Sequence, residues 1–204
     1  EAVILNIELV ASVFLNKVVI GLVLFLVLAI MGYTYPLSPS NMTVINYFTI
    51  WLPMFYWTFF PIPSEGFNPK SRFMGKILLF SVVNGIIMAL AATSVFVLEP
   101  AGVRYAYSNF PVMILLIALG YWYFVLAPLN YGFVPGKIRR RALGIVAAVS
   151  AVLIAAAVYW PPLSVIFGLQ KPELIPLIFT FGIILIFGYL QYAIAKRWFY
   201  RKPV

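Results

Sequence analysis

Lys17 is the ionisable residue that the sequence sets inside a long apolar run, Val13-Phe-Leu-Asn-Lys-Val-Val-Ile20. An ammonium group in hydrocarbon must find acceptors, lose its proton or reach water along its flexible stem. Such a residue is a candidate functional site by default. Asn16 and nearby backbone carbonyls are the partners on its own helix. The second candidate is Thr43-Val-Ile-Asn-Tyr-Phe-Thr-Ile-Trp-Leu-Pro53. In a regular helix the Pro53 ring would strike the Thr49 carbonyl, and the proline has no N–H to donate. Carbonyls freed in this way are tolerated at membrane depth where they line a cavity or a polar site. Asn46 and Thr49, three residues apart, can face such a break. A proline kink with satisfied neighbours is the plainer reading. Asn84 is a lone amide expected to hydrogen-bond to a neighbouring helix.

Other chemistry is excluded by composition. The acids are Glu1, Glu8, Glu65, Glu99 and Glu173, and there is no aspartate, histidine or cysteine. Ser-His-Asp and Cys-His triads, zinc sites, disulfides and an aspartyl phosphate therefore have no residues here. We assign no catalytic residue, metal ligand or cofactor-binding residue within the chain.

The elements that must position Lys17 and Pro53 follow from hydropathy. Of the 204 residues 64% are hydrophobic and 9% are charged, whereas soluble domains carry about 25% charged residues. A membrane-spanning helix needs about 20 apolar residues. Six stretches qualify, at about 9–32, 43–61, 76–98, 109–129, 143–160 and 174–195. Proline, glycine and polar residues fall between them, and strand alternation is missing. The expected fold is an all-α polytopic bundle of six transmembrane helices in one domain, 1–204. The stretch with Pro53 is the weakest span, with a re-entrant or interfacial helix as its alternative. None of the six predicted spans contains a carboxylate.

Lys70, Arg72, Lys76, Lys137, Arg139, Arg140, Arg141, Lys196, Arg197, Arg201 and Lys202 fall on one side of these spans. Only Arg104 and Lys171 fall on the other. By the positive-inside rule both termini are cytoplasmic. The net charge of +9 is then topology and attraction to lipid headgroups, with membrane lipids as partners and no nucleic acid. Tyr33, Tyr35, Trp160, Trp198 and Tyr200 are expected in an interfacial belt. Ala147, Ala151 and Ala155, with Gly144 and Ala148, form a small-residue seam expected to pack closely on another helix. The semi-polar opening, Glu1 to Glu8, reads as the end of a helix entered midway, so a piece of a larger protein is expected.

Asn6-Ile-Glu-Leu-Val-Ala-Ser-Val-Phe-Leu-Asn-Lys17 is similar to the fifth membrane helix of P-type ATPases, closest to their bacterial cation-translocating members. Tyr35-Pro-Leu-Ser-Pro39 and the run from Thr43 to Pro53 look like the following loop and sixth helix. Arg72-Phe-Met-Gly-Lys-Ile-Leu78 resembles the entry to the seventh. The specific match is confined to these segments; the later spans agree in topology alone. The resemblance implies helices five to ten of a pump in the bacterial cytoplasmic membrane. It implies partners outside this chain: four earlier helices, and cytoplasmic domains where ATP and Mg²⁺ phosphorylate an aspartate. The transported species would be a cation or a lipid. Lys17, beside Asn16, matches an intramembrane lysine that acts as a counter-charge or touches substrate, and Asn46, Thr49 and Pro53 match a partly unwound segment. Departures are plain. Ile50 stands where calcium and sodium pumps carry an acid, and Trp51 where glycine is usual. The phosphorylation motif and the fourth-helix Pro-Glu-Gly motif are absent. Outside this family, the alternatives are a stand-alone six-span protein with a binding or regulatory role, or a secondary transporter. The latter commonly shows paired broken helices, and only one break and no repeat is found.

Overall fold

In the computed structural model, residues 2–60, 73–98, 109–128, 137–169 and 173–199 are described. Every regular element among them is helical. The helices are α1 (Ala2–Ile30), α2 (Pro39–Asn46), α3 (Leu52–Phe59), α4 (Phe73–Leu98), α5 (Asn109–Leu126), α6 (Lys137–Tyr159), α7 (Pro161–Ile166) and α8 (Leu174–Ile194). A π-helical turn, Tyr47–Trp51, joins α2 to α3, and a second, Ala195–Phe199, extends α8. The chain is an all-α membrane bundle. Among the described residues five helices are long and apolar enough to cross a bilayer, over Ile7–Ile30, Ile77–Leu98, Asn109–Leu126, Arg140–Tyr159 and Leu174–Phe199.

The second expected span, at about 43–61, differs. The helical run begins at Pro39 rather than near residue 43, and it is divided by the π turn. Its start has a local cause. The Asn41 backbone N–H donates to Ser38 Oγ, and the Ser38 N–H donates to Asn41 Oδ1 at 3.1 Å. This reciprocal cap, with Pro39 in the first turn, fixes the entry to α2. The division has a local cause too. Ahead of Pro53 the turn widens, so that the Leu52 N–H reaches back five residues to the Tyr47 carbonyl. Bulges of this kind absorb what a regular α-helix cannot.

Two other helices end on glycine. Gly32 and Gly168 have φ of +74° and +60°. In each case the next residue's N–H reaches back five positions: Tyr33 to the Leu28 carbonyl and Leu169 to the Ser164 carbonyl, both at 2.8 Å. Left-handed termination of this type suits glycine.

α1 lies along α4, and α5 packs against α4, α8 and the π turn. Two glycines permit the closest approaches. A Cβ on Gly85 would stand 2.7 Å from Val19 Cβ and 3.0 Å from the Asn16 carbonyl oxygen. A Cβ on Gly120 would stand 2.7 Å from Thr49 Cγ2. Aromatic rings fill the end of the bundle that holds the start of α1 and the end of α8. Trp57 and Phe124 lie 4.7 Å apart, Phe80 stacks on Tyr123 at 5.3 Å, and Phe80 meets Phe199 at 5.1 Å.

α6 contrasts with this core. Only 11% of its apolar stretch is buried, against 61% in α4 and 67% in α5. The alanine seam is not closely packed as the sequence suggests. Ala147, Ala151 and Ala155 are exposed and line a crevice, and Gly144 has open space where a Cβ would go. The aromatic belt is divided. Trp160 and Trp198 are exposed near helix ends, while Tyr33 and Tyr35 pack on the core, Tyr33 edge-on to Phe96. Tyr200 and the loop cations Lys70, Arg72, Arg104, Lys171, Arg201 and Lys202 lie outside the described residues.

Candidate functional site

Lys17 and Asn16 sit midway along α1 and meet different surroundings. Asn16 is buried, and its Nδ2 donates to the Ser81 carbonyl of α4 at 3.2 Å. Lys17 is half-buried, and among the described residues it makes no hydrogen bond or ion pair. α1 also touches the π turn. The outward face of α1 is apolar, with Phe14, Val18, Leu22 and Phe25 exposed.

The interrupted run does not present its residues as the spacing suggests. Thr49 is buried; its hydroxyl donates to the Ile45 carbonyl at 2.6 Å and its methyl group abuts Gly120. Asn46, just before the π turn, is half-buried and makes no side-chain hydrogen bond among the described residues. Pro53 is buried in α3. The widened turn between Asn46 and Pro53 breaks the simple three-residue face that would pair Asn46 with Thr49. Thr49 is therefore a packing residue as much as a polar one.

A polar layer extends inward from Asn16, and sequence reasoning found little of it. Ser81 Oγ donates to Ile77 O at 2.8 Å and lies 2.9 Å from the Tyr123 hydroxyl of α5. Ser12, on the turn before Asn16, also interacts with that hydroxyl. Asn84 does not bridge helices as expected. Its Nδ2 turns back to the Phe80 carbonyl at 2.8 Å, and its Oδ1 is buried without a hydrogen-bond partner among the described residues. Gln191 on α8 is wholly buried, with Nε2 and Oε1 both lacking partners among the described residues. Its neighbours along α8 define its setting. Trp122 Nε1 donates to the Gly188 carbonyl at 2.9 Å, and Ala195 packs with Phe80 and Tyr123.

Glu8 corrects the expectation that the spans hold no carboxylate. It lies within the crossing stretch that starts at Ile7, and it is 7% exposed. The sequence signal was the helical continuity of residues 2–12, which carries α1 back beyond residue 9. Among the described residues no three potential metal-ligating side chains of the His, Cys, Asp and Glu types come together. Among the described residues the interior polar groups are amides, hydroxyls, the Glu8 carboxyl and the Lys17 amine. This set can hold a polar or charged group by hydrogen bonds.

The fold and this interior define an integral membrane protein with a polar layer inside an apolar helix bundle. No protein-family model matches the chain, and neither does any curated protein.

Proposed function

We propose that the chain is the C-terminal membrane bundle of a P-type ATPase, which moves a cation or a lipid across a bacterial cytoplasmic membrane. ATP hydrolysis, with its Mg²⁺, belongs to domains outside these 204 residues, and the first four helices would complete the bundle. Both chain ends face the cytoplasm in this reading, following the basic loops. The carrying observation is a half-buried Lys17 without a partner among the described residues, on a helix that touches a second helix interrupted ahead of Pro53. These are the positions that the sequence resemblance singles out. A membrane-depth ammonium beside irregular backbone is where a substrate or counter-charge site is expected. Asn16 holds that part of α1 to α4, and Thr49 holds the interrupted turn to α5.

Lys17→Ala and Lys17→Glu in the full-length protein test the reading. Phosphorylation by ATP should persist, while substrate-linked dephosphorylation should slow by about tenfold, or roughly 1.4 kcal/mol in the barrier. If both variants keep full substrate-stimulated turnover, Lys17 merely snorkels to the headgroups and the site assignment fails. Pro53→Ala should change substrate affinity while the protein still folds. Unaltered transport kinetics in that variant would reduce the break to a structural kink.

A further inference from the structure

Lys17 is the charged residue set deepest in a crossing stretch among the described residues. It lies about 15 Å along the axis from the Ile7 end of its span and about 20 Å from the Ile30 end. Its side chain is five single bonds of about 1.5 Å each, so the amine reaches less than about 8 Å from its Cα. Snorkelling leaves it short of both headgroup layers, and a lipid phosphate stays as far away. Glu8, the acid on the same stretch, stands nine residues back, about 14 Å along α1. The other described cations of the crossing stretches, Arg140, Arg141, Lys196 and Arg197, stand in the end turns of α6 and α8, near headgroups and water.

The face beside Lys17 is open. Phe14, Val18, Leu22 and Phe25 form an exposed stripe at four- and three-residue spacings, and a Cβ on Gly21 would meet nothing within 4 Å. α6 and α8 are at least as bare as α1, with 11% and 17% of their apolar stretches buried against 28%. Their exposed mid-span residues, such as Val149, Val152, Leu185 and Ile186, are purely apolar. Lipid tails satisfy such faces in full. They cannot satisfy a face with an ammonium at its flank, because hydrocarbon has no acceptor to offer. What can bring an acceptor to that depth is another helix, whose backbone polar groups are satisfied internally. It can lie along the stripe, approach closely at Gly21 and carry a side chain to Lys17. A carboxylate there both accepts from the ammonium and neutralises it, as intramembrane charges do when they pair.

We propose that the open stripe of α1 docks a further transmembrane helix of the same polypeptide, from outside these 204 residues, which sets an Asp or Glu carboxylate against Lys17 near the bilayer midplane. The source of that helix rests on the pump reading, in which four helices precede this chain; the need for a carboxylate does not. Lys17 is then the counter-charge of a fixed protein group.

The test uses the purified full-length protein in lipid nanodiscs, with a benzophenone side chain at position 18 or, as a lipid-facing control, at position 152. Photo-crosslinked products are digested and identified by mass spectrometry. Position 18 should join a transmembrane peptide of the same polypeptide, with an Asp or Glu within one helical turn of the joined residue. Position 152 should join lipid. Lys17→Met should lower the unfolding temperature by about 5 °C or more, because it strands the carboxylate. Lys17→Glu combined with replacement of that acid by lysine should recover at least half of the loss seen in Lys17→Glu alone. Lipid adducts alone at position 18, a joined peptide without an acid, or a joined separate polypeptide would each overturn the proposal. So would a Lys17→Met variant as stable as the parent, or a charge swap without recovery. Phosphorylation by ATP in the same preparation reads the pump assignment separately. Its absence would overturn that assignment, while an acid-bearing peptide joined to position 18 would still support the docking.

Discussion

α4 and α5 on one hand, and α6 on the other, are all apolar enough to cross a bilayer, yet they are held in opposite ways. Most of α4 and α5 is buried, and α6 is nearly bare. The richest run of small residues is on α6, where its alanines are exposed among the described residues. The close approaches occur instead at two isolated glycines, Gly85 and Gly120. Each works because something particular stands opposite: Val19 with the Asn16 carbonyl, or the Thr49 methyl group. Small side chains permit proximity between membrane helices, but proximity follows only where a matching group fills the space.

This contrast can be broken experimentally, and the largest effect should come from the glycines. Gly120→Val should drive a side chain into Thr49 and cost about 1–3 kcal/mol of stability by overpacking, read by reversible unfolding in mixed micelles. Gly144→Val on α6 should stay within about 0.5 kcal/mol of the parent. A comparable loss at both glycines would show that α6 is packed after all. A smaller effect of opposite sign is expected at Gln191. Replacing this buried amide, which lacks partners, with leucine should stabilise the bundle by about 1 kcal/mol. A loss of stability there would reveal hydrogen bonds that Gln191 makes in the working protein. The smallest effect belongs to the junction between the two regions. Tyr121→Phe removes the bond to the Leu143 carbonyl and should cost about 0.6 kcal/mol, the average for interhelical bonds in bilayers. Its clearer signature should be a wider distance distribution between spin labels on α5 and α6. An unchanged distribution would mean that α6 is seated by other contacts.

Much of the element order was legible in sequence, because apolar runs and their Pro-Gly punctuation leave few alternatives. Lys17 and the break at Pro53 were legible for the same reason: each violates its surroundings. What was not legible is which way each helix faces. In a helix that is apolar all round, no polar face records the inward direction. The two amides illustrate this. Asn84 was expected to bridge helices and bonds to its own Phe80 carbonyl, whereas Asn16 reaches across to Ser81. The difference is one of angle about the helix axis and of what the neighbouring helix offers there. Gln191 and the bare face of α6 were hidden likewise. The start of α2 was recoverable in principle, since Ser38-Pro-Ser-Asn41 carries the residues of its cap.

The π turn sets the angle at which α3 follows α2. A turn that holds one residue more than an α turn can give that residue up. Doing so would rotate α3 against α2 by about 100° and shift it by about 1.5 Å. α2 is anchored by its cap and by Asn41 Nδ2, which donates to the Phe167 carbonyl at 3.0 Å. α3 would have to carry Tyr56 and Trp57 away from Phe124, against which both rings now rest. Those three rings, with Thr49 against Gly120, tie α3 and the π turn to α5 in the present register.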